Sequence, residues 1–117
     1  MDALVRPVTW ILGVVLLVVG VLGFVMSSPL LGIFETDTLH NLIHIVSGAL
    51  GLIAINSGTS MARMFLIVFG IVYLAVALIG YVQQVTVLGL IVVNAADNML
   101  HAAIAAVCLV VGFGSKK

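Results

Sequence analysis

The sequence predicts an all-α fold: a four-helix transmembrane bundle built from two parallel repeats of a helical hairpin, with both termini cytoplasmic. Three observations carry that reading. The chain of 117 residues is 64% hydrophobic and only 7% charged, whereas a soluble domain uses roughly 25% charged residues to cover its wet surface. Four apolar stretches are each long enough to cross, or nearly cross, a hydrocarbon core of about 30 Å. Gly, Asn and His positions recur at one fixed offset of 57 residues.

The apolar stretches run over residues 7–26, 39–55, 61–82 and 95–113. In lipid the backbone must satisfy its own hydrogen bonds, so such runs read as helices despite their many Val and Ile residues. Span one starts at Pro7 and contains no charge or His. It reads as an uncleaved helix, because its apolar core is too long for a signal peptide and Met26-Ser27-Ser28-Pro29 is a poor cleavage site. Spans two and four carry the polar residues. The whole chain, 1–117, reads as a single transmembrane domain with no room for a soluble one. Its first repeat covers residues 7–57 and its second residues 61–114.

Orientation follows from Lys and Arg. Arg6 precedes span one, Arg63 lies at the connection between spans two and three, and Lys116 and Lys117 follow span four. All fall on one side of a four-span layout, and the opposite loops hold Glu35, Asp37 and Asp97 without a Lys or Arg. The positive-inside rule puts the basic side in the cytoplasm. Net charge is zero, which gives no basis for nucleic-acid binding. Cys108 is the only cysteine, sits in an apolar run and reads as a small hydrophobe.

The offset pairs Gly13 with Gly70, Gly23 with Gly80, Leu31-Gly32 with Leu88-Gly89, Asn41 with Asn98, and His44 with His101. Fixed-offset matches of Gly, Asn and His are hard to obtain by chance in an apolar sequence. Each unit holds two spans, so the units enter the membrane in the same direction, related by a pseudo-two-fold axis along its normal. Gly13, Gly20 and Gly23 on span one, and Gly70, Ala77 and Gly80 on span three, recur near helical spacing and read as packing seams. Such seams serve within one chain or between chains, so a homo-oligomer or a larger membrane complex is among the expected partners. The connections 27–36 and 83–94 contain apolar stretches and are expected to lie in the interface or fold back over the bundle. Each ends at a helix start, where Asp37 and its counterpart Asn94 are good N-cap residues.

His40 and His44 are four apart on span two, and Asp97 and His101 four apart on span four, so each pair shares a helix face. The offset relates His40 to Asp97 and His44 to His101. A two-fold axis therefore gathers three His and one Asp at the outer ends of spans two and four, with Asn41 and Asn98 one position further round. Three readings compete. In the first, the cluster orders helix starts and hydrogen-bonds across the bundle, with Asp97 three residues past the Asn94 cap. In the second, His40, His44, Asp97 and His101 ligate Zn, Fe or Cu, or His44 and His101 hold one haem. In the third, the cluster conducts protons or a solute. Against the third, no polar path crosses the inner half. The carboxylate that small four-span exporters keep in span one is missing, and the Lys and Arg bias is unlike dual-topology fluoride channels. The sequence contains no nucleophile–base arrangement and no phosphate loop, so nothing points to an enzyme. The reading favoured by the sequence is a non-enzymatic structural or accessory membrane subunit, with metal or haem binding as the alternative.

Three segments carry a family resemblance: Leu31-Gly32-Ile33-Phe34, Leu39-His40-Asn41-Leu42-Ile43-His44, and Asn94-Ala95-Ala96-Asp97-Asn98-Met99-Leu100-His101. They resemble a bacterial family of small four-span membrane proteins classed as a domain of unknown function, over nearly the whole chain. Small four-span families related to quinol-oxidase accessory proteins are less similar. The resemblance implies a multi-pass protein of the bacterial cytoplasmic (inner) membrane. It supplies no activity, and it draws attention to His40, Asn41, His44, Asp97, Asn98 and His101.

Overall fold

The computed structural model describes residues 1–26, 28 and 30–116. Ser27 and Pro29 of the first connection, and Lys117 of the C-terminal basic pair, lie outside the described residues. The architecture is the predicted one, a four-helix bundle with 78% of the described residues helical. The helices are α1 (Asp2–Val25), α2 (Thr38–Ser57), α3 (Thr59–Gln83) and α4 (Ala95–Gly114), with two short strands, β1 (Thr86–Val87) and β2 (Ile91–Val92), before α4. At 1.5 Å per residue the helices are about 30 to 38 Å long, and all four are long and apolar enough to span a membrane.

Side-chain placement is inverted relative to a soluble bundle. Thr9, His40, Asn41, His44, Asp97 and His101 are buried, while Trp10, Ile11, Val21, Ile53, Leu78 and Val110 lie on the outside. No hydrophobic effect favours such a surface in water; lipid tails are its natural solvent.

What draws the helices together is close backbone approach. α1 packs antiparallel on α2: Gly13 meets the Gly48 carbonyl and Leu52, Gly20 meets the Asn41 carbonyl and Ile45, and Gly23 meets the Asn41 side chain. A methyl group on Gly20 would sit 2.6 Å from Ile45 Cγ1, so any larger residue forces the pair apart. α3 packs on α4 by the same kind of contact, Gly70 against Leu109 and Cys108, and Gly80 against the Asn98 side chain. Gly58, at φ +122°, ends α2 and begins α3, a sharp reversal that side-chain-bearing residues rarely adopt.

Both chain ends meet at one end of the bundle, called proximal below. The Lys116 amide donates to Asp2 Oδ1 at 2.7 Å. Helix α1 starts at Asp2 rather than at Pro7, because the missing Pro7 N–H deprives only the Ala3 carbonyl of a donor, close to the helix start. Arg63 is not in the connection between spans. It lies one turn into α3, and its Nε donates to the Gly112 carbonyl at 2.9 Å and to Ser115 Oγ at 3.1 Å, capping the C-terminus of α4.

At the distal end the two connections form small turns. Leu30 and Phe34 bridge around Leu31-Gly32, and β1 pairs antiparallel with β2 around Leu88-Gly89, with Thr86 opposite Val92. Both turns hold two successive residues at positive φ: Leu31 at 55° and Gly32 at 72°, Leu88 at 55° and Gly89 at 70°. This is the hairpin turn that matches strand twist, with Leu where Asn is usual. The second connection folds back over the bundle, burying Val87, Ile91 and Val93 against Val76 and Ile79.

Candidate functional site

The distal loops also reach across to the opposite hairpin. Asp37 caps α2, its Oδ1 accepting from the His40 amide at 2.7 Å, while its Oδ2 accepts from the amide of Val92 in the opposite connection at 2.7 Å. Asn94 caps α4 in a capping box, its side chain accepting from the Asp97 amide and the Asp97 carboxylate accepting from the Asn94 amide. Asp97 Oδ2 also accepts from the Glu35 amide at 3.1 Å, and Asn94 Nδ2 donates to the Ile33 carbonyl at 2.8 Å. Each loop thus supplies backbone partners to the helix start of the other half. Both Asp37 and Asp97 are occupied as caps.

One turn deeper, three imidazoles converge. His40 and His44 project from α2 and His101 from α4, each at most 3% exposed. Their ring centroids are separated by 4.6 Å (His40–His44), 5.5 Å (His40–His101) and 6.0 Å (His44–His101). One nitrogen from each ring lies within 4.8 Å of the other two. They line a cavity of about 100 Å³ whose lining also includes Ser47, Phe69, Tyr73 and Ile91.

The hydrogen-bond inventory of this cavity is incomplete. His40 Nδ1 lies 3.0 Å from the Val92 carbonyl, and a carbonyl only accepts, so Nδ1 carries the proton and Nε2 keeps its lone pair. That Nε2 is buried without a hydrogen-bond partner, as are His44 Nδ1, His101 Nδ1 and the Tyr73 hydroxyl. Buried polar atoms are normally satisfied, and each orphan asks for a reason. Four around one small cavity ask for a common one.

The members of the sequence constellation therefore separate. His40, His44 and His101 come together. Asp97 does not join them, because the backbone amides of Glu35 and Asn94 hold its carboxylate at the helix start. Asn41 and Asn98 face the glycine seams, Asn41 against Gly23 and Asn98 against Gly80, rather than the cavity. Tyr73, from α3, is the residue the sequence reading did not place in the constellation. Its ring lies 5.5 Å from that of His101. The signal was present: Tyr73 falls at helical spacing on the stripe Gly70, Ala77 and Gly80, so its hydroxyl had to face the bundle interior.

A pocket of about 100 Å³ holds an ion and one or two small ligands, since a water molecule takes about 30 Å³. It is far too small for a haem macrocycle between His44 and His101.

Comparison with known families agrees with the motif resemblance. A family model described as a domain of unknown function, DUF4383, matches residues 6–114. The chain belongs to the DUF4383 family. Nearly the whole bundle is covered, from the first turns of α1 to the end of α4, and the three histidines lie within the match. No curated protein and no solved structure matched the chain, so the chemistry of this DUF4383 bundle is argued from its own residues.

Proposed function

We propose that this small membrane protein binds one transition-metal ion through His40, His44 and His101, and that the ion staples α2 to α4. The observation that carries the reading is the set of three buried imidazoles, each with an unpartnered nitrogen, gathered on one small cavity. Imidazole ligands suit Zn, Cu and Fe. The Val92 carbonyl on His40 Nδ1 supports it further, because a metal-bound His commonly donates its other N–H to a carbonyl or carboxylate that fixes its tautomer. Ligand nitrogens around Zn are about 3.3 Å apart when each bond is about 2.0 Å. Closing from a spread of up to 4.8 Å takes modest rotation of the rings. The role is that of an accessory subunit rather than an enzyme.

The test is metal analysis of protein purified in detergent without a metal-affinity resin, followed by titration with Zn(II) and Cu(II). One equivalent bound, and lost in His44→Ala and His101→Ala, is the expected outcome. Protein that takes up no ion, with stability indifferent to added metal, reduces the histidines to helix-ordering groups and refutes the proposal.

The same proposal takes α1–α2 and α3–α4 as two copies of one hairpin, lying in a bacterial cytoplasmic membrane with both termini inside. Supporting the duplication, Gly13–Leu52 and Gly23–Asn41 have counterparts in Gly70–Leu109 and Gly80–Asn98. Supporting the orientation, Arg6 and Lys116 lie near the proximal end, where Arg63 also caps α4. Single cysteines labelled from outside the cell test it: label at position 89 and none at position 58 is expected, and the reverse pattern refutes the orientation.

A further inference from the structure

The three histidines occupy one side of their cavity, and the other side is not blank. Tyr73 enters from α3, at 3% exposure, with its ring 5.5 Å from His101 and its hydroxyl without a partner. Ser47, one turn below His44 on α2, lines the same space. The Ser47 hydroxyl lies close to that of Tyr73 without completing a hydrogen bond, and a phenol hydroxyl in an apolar helix bundle is costly unless something accepts its proton. Beside three nitrogen ligands, that acceptor is best placed on the ion itself.

Charge leads to the same conclusion. Three neutral imidazoles leave a divalent ion with its full charge in a low-dielectric interior, which is expensive without a counter-charge. The carboxylates facing this end are Asp37 and Asp97, both engaged by backbone amides, and Glu35, whose Oε2 accepts from the Ser28 hydroxyl. None lines the cavity. The missing negative charge has to arrive with a ligand from outside the chain.

We infer that the metal centre is open at a fourth position, and that the Tyr73 hydroxyl holds a small anionic ligand, such as hydroxide or a linear anion, on the ion there. The inference rests on the three-histidine reading above and deepens it. Three protein ligands with one exchangeable position is the arrangement that lets an ion bind and release a small molecule, whereas structural sites are closed by four protein ligands. Tyr73 is a positioning residue in this scheme: it donates to the bound anion and does not touch the metal.

The test loads the full-length protein in detergent with one equivalent of Cu(II) and titrates azide, following the azide-to-copper charge-transfer band. Wild type is expected to develop the band with saturation. Tyr73→Phe is expected to bind copper with unchanged stoichiometry and azide at least about tenfold more weakly, the effect of losing one hydrogen bond to a charged ligand. Absence of any azide band in copper-loaded wild type means a closed site and overturns the inference while leaving the metal site standing. Equal azide affinity in Tyr73→Phe removes Tyr73 from the scheme. A phenolate-to-copper band that vanishes in Tyr73→Phe makes Tyr73 itself the fourth ligand, and overturns the inference too. Failure of wild type to hold copper overturns the three-histidine reading and this one with it. The wild-type azide titration needs no variant, so it decides between open and closed even if Tyr73→Phe folds poorly.

Discussion

Replacing Gly80 with alanine sets a methyl group on the Asn98 side chain, where Oδ1 now rests against the glycine. The new carbon would also lie 3.1 Å from Asn98 Cγ and 3.4 Å from Val87 Cγ2. Asn98 Oδ1 is buried without a conventional hydrogen bond; the Gly80 Cα–H pointing at it is a weak donor worth about 0.5–1 kcal/mol. Overpacking of this kind costs about 1–3 kcal/mol, and Ala regains about 1 kcal/mol of helix propensity over Gly. The net loss is therefore about 0.5–3 kcal/mol. Unfolding in mixed micelles of increasing dodecyl sulfate fraction, followed by circular dichroism, measures it. The mechanism is isolated by repeating the substitution in an Asn98→Ala background, where the overlap is gone and Gly80→Ala should be neutral or stabilising by about 1 kcal/mol. Gly23→Ala should behave alike, because Asn41 Oδ1 occupies the equivalent place over Gly23. A Gly80→Ala protein within about 0.5 kcal/mol of wild type, or one equally destabilised with and without Asn98, refutes the close-contact account of the seam.

Asp97→Asn weakens the capping box and the bridge to the first connection; a loss of about 1–2 kcal/mol and faster hydrogen exchange at the Glu35 and Asn94 amides are expected, and unchanged protection at both refutes the bridge. Arg63→Ala removes the donor to Gly112 and Ser115 and should speed exchange over the last turn of α4 with a stability loss of about 1–3 kcal/mol. Leu88→Asn places a residue suited to positive φ in the second turn and should stabilise by about 1 kcal/mol in the same micelle assay.

The spans were legible because lipid imposes a simple rule: an uninterrupted apolar run of sufficient length has to be a helix. The seams were legible because Gly13, Gly20 and Gly23 share a helix face, and only small residues let backbones approach that closely. The distal turns were not. Leu31-Gly32 and Leu88-Gly89 lack the Asn or Asp that marks a hairpin, and their apolar flanks indicate only chain that lies in the interface or folds back over the bundle. The crossing caps were illegible for a different reason. Asp37 announces itself as an N-cap, but its second oxygen takes the amide of Val92, and no local pattern links residues in opposite halves of the chain. Arg63 was assigned to topology alone because its acceptors, Gly112 and Ser115, are brought to it only by the fold.

The polar constellation divides along the angular arithmetic of the helix. At 100° per residue, His44 lies 40° from His40, while Asn41 lies 100° away, so one helix presents imidazoles to the bundle centre and an amide to its α1 neighbour. On α4 the same arithmetic turns His101 inward and Asn98 toward α3. Asp97 shares the His101 face but sits in the first turn, where free amides and the positive end of the helix dipole hold a carboxylate more strongly than a cluster of neutral rings can. Sequence proximity suggested one group of six; depth and angle make three. Asp97 joins the caps Asp37 and Asn94 at the helix starts, Asn41 and Asn98 lock the hairpins, and His40, His44 and His101 each keep an unpartnered nitrogen around a cavity they share with Tyr73. The buried orphan atoms among the described residues are Asn41 Oδ1 and Asn98 Oδ1, each set against a seam glycine, and one atom each of His40, His44, His101 and Tyr73, which line a common cavity. That is why the chemistry of this protein is to be sought there: the caps satisfy their own carboxylates and the seam amides rest on glycines, whereas four orphaned atoms on residues lining one small cavity call for a bound ion and its ligand.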